Sequence, residues 1–257
     1  MTREAGGIWR QAVAGDCHGL YYTYGVTHDD QTYEVVDPYA RAAGVNGERG
    51  MVVDLARTNP DGWDEVKGPV LDAPVDAVLY ELHVRDFSVH SQSGMVQKGK
   101  FLAFTEEGTR GPQGVKTGLD HLVDLGVTHL HLLPVFDFAS VDEGESGIPQ
   151  YNWGYDPKNY NVPEGSYATD PFRGEVRIRE LKAAIKALHE KGIGVIMDVV
   201  YNHTYKSWDS ALNRLVPGYY YRLNSDRSFA NGSGCGNELA SERPMVRKLI
   251  LDSVVSW

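Results

Sequence analysis

Asp198-Val-Val-Tyr-Asn202-His203 ends a run of branched apolar residues with an acid, an amide and an imidazole. A carboxylate on an otherwise apolar strand is costly to bury without hydrogen bonds. Asp198 is therefore either a strand-end group that holds a loop or part of a site. Tyr151-Asn-Trp-Gly-Tyr-Asp-Pro157 sets aromatic rings beside an amide, a glycine and an acid. Such rings can stack on the apolar faces of pyranose sugars while Asp and Asn exchange hydrogen bonds with hydroxyls; they can equally pack a loop onto the body of a protein. His129-Leu-His131 places two imidazoles on one face of a strand. That pattern can ligate a metal if more donors converge, and Asp198 and His203 are the nearest offered. His83, within Glu81-Leu-His-Val-Arg-Asp86, could join them or serve as a strand-end histidine with its ring satisfied.

These residues need elements to hold them. Leu20–Tyr24 and Thr32–Val36 are short β-prone runs around the polar turn His28–Gln31, which predicts an antiparallel pair too small to close a sandwich alone. A Pro/Gly/Asp-rich stretch, Asn59–Gly62 and Gly68 to Pro74, has the punctuation of a linker and puts a domain boundary near Asp72. Beyond it the pattern alternates. Ala77–Val84, Val127–Pro134 and Ile193–Val200 are apolar runs of the kind found in buried parallel strands. Between them, Thr117 is a candidate cap for a helix that uses Leu119, Leu122 and Val123 and stops at Gly126. A second helix carries Ile178, Leu181, Ile185 and Leu188 on one stripe with charged residues opposite, and ends at Gly192. A third begins near Ser241 with Pro244 in its first turn and reaches Trp257 without a stop signal.

Strand–helix alternation of this kind makes a parallel sheet with right-handed crossovers, either doubly wound or part of a (β/α)8 barrel. Three units cannot close a barrel, which takes about 250 residues by itself. The insertions Phe136–Phe172 and Tyr201–Asn237 follow strand carboxyl ends, the side on which barrels build their sites. Bulk properties narrow the partners. The 257 residues carry a formal charge of -10, with no basic cluster of the sort that nucleic acid requires. No apolar run approaches the roughly 20 residues that span a bilayer, and the start lacks the apolar core of a signal peptide, so the chain reads as soluble. Cys17 and Cys235 decide nothing about compartment.

A resemblance now becomes specific. Tyr151–Pro157 is similar to the signature heptapeptide of type I pullulanases, starch-debranching members of the α-amylase superfamily (glycoside hydrolase family 13). Asp198–His203 resembles the first motif shared by that superfamily. Tyr33–Ala40 and Val45–Gly50 resemble the end of the starch-binding β-sandwich that precedes the barrel in these enzymes, Tyr80–Phe87 the first barrel strand, and Gly236–Arg243 the approach to the helix before the fourth. The resemblance implies a partial (β/α)8 TIM barrel, strands one to three with long insertions over residues 73–257, preceded by a remnant of a β-sandwich carbohydrate-binding module over 1–72. It implies hydrolysis of α-1,6-glucosidic bonds with retention and an α-glucan as partner; no cofactor or metal site is assigned to these residues. Tyr155 would stack on the glucose ring at the cleavage subsite and His203 would hydrogen-bond its hydroxyls. Asp198 and Asn202 would support that corner, and Trp153 and Asp156 would shape the loop. In relatives the nucleophilic Asp, the acid/base Glu and a further Asp lie on strands four, five and seven, beyond Trp257, so this chain alone is expected to be inactive. The rival readings are a non-catalytic α-glucan-binding module and a metal-dependent amidohydrolase-like barrel.

Overall fold

Asp29 and Asp30 both hold left-handed backbone, with φ of 49° and 62°. Two successive positive φ values make the tight turn whose twist suits a hairpin, and a short acidic side chain tolerates that region better than most. The chain therefore folds straight back from β1 (Tyr24–His28) into β2 (Gln31–Val35), with Tyr24 opposite Val35 and His28 opposite Gln31. The expected partner strand, Leu20–Tyr24, is corrected: Tyr21 and Tyr22 leave the hairpin and pair with Met51 and Gly50 instead. In this computed structural model, residues 1–145 and 150–257 are described.

The later strands are β3 (Leu79–Leu82), β4 (His129–Leu132), β5 (Phe136–Phe138), β6 (Pro157–Pro163) and β7 (Gly194–Met197). The helices are α1 (Val84–Ser88), α2 (Gly118–Leu125), α3 (Gly174–Glu190), α4 (Ala211–Leu215) and α5 (Pro244–Ser256). As the apolar runs predict, β3, β4 and β7 form a parallel three-stranded sheet with β4 in the middle. Leu79, His129 and Gly194 stand in one row, and Glu81, His131 and Ile196 in the row two residues farther on. Alternation along the strands sends Leu82, Leu130 and Leu132 to one face, where they are buried in a core with Leu119 and Leu122 of α2 and Leu181, Ala184 and Leu188 of α3. Glu81, His129 and His131 take the opposite face, which is the inner wall of the partial barrel. Gly194 leaves room for an imidazole there: a Cβ on it would lie 2.4 Å from His129 Cδ2.

Helix α3 departs from the simple amphipathic pattern. Its apolar stripe is buried as expected, but Arg177 and Glu180 are buried with it instead of facing water. The chain before β3 is also fastened to this helix. Lys182 Nζ donates to Leu55 O at 2.9 Å, Thr58 Oγ1 at 2.9 Å and Asn59 Oδ1 at 2.6 Å, and lies 5.6 Å from the centre of the Trp63 ring. Helix α5 starts at Pro244, a few residues later than expected, and with α4 it buries Leu212, Val246 and Leu249 around Tyr160, Tyr221 and Leu239. Among the described residues no helix is long and apolar enough to cross a membrane.

Candidate functional site

The aromatic loop begins where β5 and β6, an irregular antiparallel pair, come apart above the end of β4. Its shape is set from within. Asn152 donates to Asp156 Oδ1 at 2.6 Å and accepts from Gly154 N at 2.7 Å, while Asp156 also accepts from Ser140 Oγ and, through its carbonyl, from Ala139 N at 3.2 Å. Gly154 sits at φ 93°, and a Cβ there would meet Pro134 Cβ at 2.7 Å. Only glycine suits such a turn and so close an approach. His83 holds the loop from below: its Nε2 bonds to Asn152 O at 2.8 Å, Nδ1 accepts from Asp86 N, and its ring lies 5.1 Å from that of Tyr151. Its ring is thus satisfied at the strand end, the second of the two roles open to it. Trp153 donates its indole N–H to the Tyr151 hydroxyl. Tyr151, Trp153 and Tyr155 stay 54%, 59% and 36% exposed, so tightly held backbone presents largely bare rings. They border a cavity of about 790 Å³ together with Glu81, His83 and Leu133.

The acid, amide and imidazole after β7 meet this loop at Tyr155. The Tyr155 hydroxyl donates to Asp198 Oδ2. Partial burial, and then the carboxylate that its hydroxyl serves, hold the phenol well above its ordinary pKa, so it remains a donor. His203 is 6% exposed; its Nε2 lies 2.9 Å from Tyr155 O and its Nδ1 2.7 Å from Asn202 Oδ1. With Nε2 donating to that carbonyl, Nδ1 is an acceptor and is satisfied when the Asn202 amide turns its NH2 toward it. Tyr160 fixes the same residue by donating to His203 O at 2.6 Å. The structure thus gathers Tyr155, Asp198, Asn202 and His203 at one point, with Asp156 bracing the loop and Trp153 on its exposed side.

The inner-wall histidines do not form a ligand set. His131 lies 3.9 Å from Asp198 and 3.8 Å from Glu81, beyond hydrogen-bond distance, and His129 Nδ1 pairs with Thr128 Oγ1 at 2.9 Å. Among the described residues the group with metal-ligand spacing is elsewhere: buried oxygens of Asp137, Glu143 and Glu164 lie within 4.8 Å of one another. A protein cation already stands among them. Arg177 donates to Glu143 Oε2 at 2.8 Å, to Asp137 Oδ1 at 3.5 Å and to the carbonyls of Gly44, Pro163 and Pro171. Burial, then Glu143, pushes the Asp137 carboxyl up to about 7, and burial likewise raises Glu164 far above the usual carboxylate range. Sequence reasoning missed this group; the available signals were an Asp inside the Phe136–Phe138 run and an Arg on the apolar stripe of α3.

Comparisons with known proteins identify the family. The family described as alpha amylase, catalytic domain, matches residues 56–214. A pullulanase of Bacillus subtilis is 47% identical over 257 residues, covering all of this chain and 35% of that protein. The crystal structure of a pullulanase from Paenibacillus barengoltzii, in complex with maltohexaose and alpha-cyclodextrin, is 56% identical with a TM-score of 0.97, over 100% of this chain and 40% of that one. A pullulanase from Anoxybacillus sp. LM18-11 complexed with maltotetraose gives 49% and 0.94, over 100% and 37%. The chain spans 35% to 40% of these relatives' lengths. With a partial parallel barrel, both motifs in place and the family match extending over more than half of its residues, the chain belongs to the α-amylase catalytic-domain family, and the relatives it resembles there are pullulanases.

Proposed function

We propose that this chain is the sugar-positioning part of a debranching glycoside hydrolase that cleaves α-1,6-glucosidic bonds in pullulan, amylopectin or related α-glucans with retention. The observation that carries the reading is the Tyr155 corner, a half-exposed ring with its hydroxyl on Asp198 and its carbonyl on His203. That arrangement fixes a flat apolar face beside hydrogen-bonding groups, which is what a pyranose ring needs. Tyr155, Trp153, Asp156, Asp198, Asn202 and His203 are the proposed substrate-binding residues. For His203 to reach a hydroxyl, its bond to the Tyr155 carbonyl has to open or be shared. The complexes of the similar pullulanases with maltohexaose and maltotetraose support a glucan ligand. In this proposal residues 1–72 are the end of a β-sandwich module and 73–257 the first part of the barrel, with Leu55–Trp63 lying against α3 of the second unit. Hydrolysis with retention needs two carboxyl groups about 5 Å apart at the anomeric carbon, one attacking and one protonating the leaving oxygen. The proposal assigns both to strands beyond this chain.

The test is reconstitution. The purified chain is expected to release no reducing ends from pullulan above a buffer blank. Supplying the downstream barrel segment of a related pullulanase, fused or co-expressed, should switch debranching on. In the reconstituted enzyme Tyr155→Ala should lower kcat/KM roughly ten- to a hundredfold. Turnover by the chain alone that survives repurification and disappears in Tyr155→Ala would overturn the assignment of the catalytic carboxyls. Restored turnover that Tyr155→Ala leaves untouched would overturn the subsite.

A further inference from the structure

Asn46 lies in the turn Val45–Gly47, about a hundred residues before the aromatic loop, and holds left-handed backbone at φ 57°. Every polar group it owns is engaged by the first barrel insertion or its return strand. Its N–H donates to Glu143 Oε2 at 2.6 Å, its Nδ2 to Asp142 Oδ1 at 3.0 Å, and its Oδ1 accepts from Glu143 N at 2.7 Å. Its carbonyl accepts from Lys158 Nζ. The next residue is wedged as closely: Gly47 O accepts from Asn159 Nδ2 at 3.0 Å, and a Cβ on Gly47 would lie 2.3 Å from Asp137 Oδ2.

The bonds continue to the sugar-facing loop. Asp142 N donates to Gln150 Oε1 at 2.7 Å, and Gln150 Nε2 returns to Asp142 O at 2.9 Å. Gln150 directly precedes Tyr151. On its far side Glu143 is gripped by Arg177 and accepts from Gly165 N at 3.0 Å, so its carboxylate cannot follow Asn46 if Asn46 is altered. One foot of the aromatic loop thus stands on Asp142, and Asp142 is held by a side chain from the N-terminal segment.

We infer that Asn46 is a positioning residue for the aromatic loop, through which the N-terminal segment sets how Tyr151, Trp153 and Tyr155 are presented. The inference rests on the proposed function only for the identity of the ligand. A glycine variant isolates the side chain, because glycine keeps the left-handed backbone that alanine would strain. Asn46→Asp is the conservative partner: it keeps the acceptor for Glu143 N, loses the donor to Asp142 and sets a second negative charge beside it.

The experiment uses the whole chain labelled with 5-fluorotryptophan, with the Trp153 resonance assigned through Trp153→Phe, and maltotriose affinity measured by calorimetry. Asn46→Gly should shift or broaden the Trp153 line, leave those of Trp208 and Trp257 in place, preserve the cooperative melt and weaken maltotriose binding at least tenfold. Asn46→Asp should fall between wild type and Asn46→Gly on both readouts. An unmoved Trp153 line in Asn46→Gly sinks the inference. Movement of all the tryptophan lines together with loss of the melt also sinks it, since Asn46 would then be a general fold determinant. If wild type shows no maltotriose binding, the glucan reading fails, and the Trp153 line alone still decides the role of Asn46.

Discussion

Asp137 is fully buried beside Glu143 and Glu164, with the Arg177 guanidinium among them. Desolvation and like charge both favour its protonated form, and the carboxyl is pushed up to about 7. A carboxyl raised in the folded state binds its proton more tightly there than in the unfolded chain, whose value is about 3.9. Its stabilising contribution is therefore complete below about pH 4 and is lost as pH rises through about 7. The chain should melt at a higher temperature at pH 5.5 than at pH 8, and Asp137→Asn should shrink that difference, because the amide keeps the shape and cannot ionise. An equal pH dependence in the variant would exclude Asp137 as its source. At the Tyr155 corner the ring and the hydroxyl have separate tasks. Tyr155→Phe should retain most of any maltotriose affinity, within about threefold, whereas Tyr155→Ala removes the stacking face and should cost about tenfold or more.

Among the elements, the aromatic loop depends on a turn that only one residue type allows. Gly154 combines a left-handed φ with the close approach of Pro134, so Gly154→Ala should lower stability by roughly 1–3 kcal/mol and speed protease cleavage within the loop. Gly126 is the control. It ends α2 at φ 74° with nothing within 4 Å, so Gly126→Ala carries the backbone strain without the clash and should cost about 1 kcal/mol. Equal losses in the two variants would mean that the contact with Pro134 does not matter. These elements were legible to different degrees. Periodicity marked β3, β4, β7 and the helices between them, since burial along one element repeats in its own sequence. The pairing of Tyr21–Tyr22 with Gly50–Met51 was not legible, because a strand's partner is chosen by contacts distant in the chain.

Across the whole molecule, the parallel sheet presents free edges on both outer strands, as β3 and β7 each pair with β4 alone among the described residues. Val78, Leu79 and Tyr80 are exposed along one edge, and Leu251, Val254 and Val255 on α5. Unpaired strand edges and bare apolar surface favour association. The purified chain should bind a hydrophobic dye such as anilinonaphthalene sulfonate and self-associate as its concentration rises, and the downstream barrel segment should suppress both. A monodisperse monomer that ignores the dye would show that these surfaces are not the unfinished side of a barrel.

The sequence by itself determined the family, because each motif is contiguous and carries its own residue types. Asp198, Asn202 and His203 on one strand end and the Tyr151–Pro157 loop could be read without coordinates. Only the tertiary structure decided which groups meet. Arg177 on the apolar stripe of α3 and Asp137 between two phenylalanines hint at burial in the sequence, but not at each other; both are buried, and Asn46, Glu143 and Glu164 join them from separate segments. Neither composition nor periodicity records a hydrogen bond between residues a hundred positions apart. Folding alone brings such groups within bonding distance, and burial of those charges then makes each bond among them costly to lose.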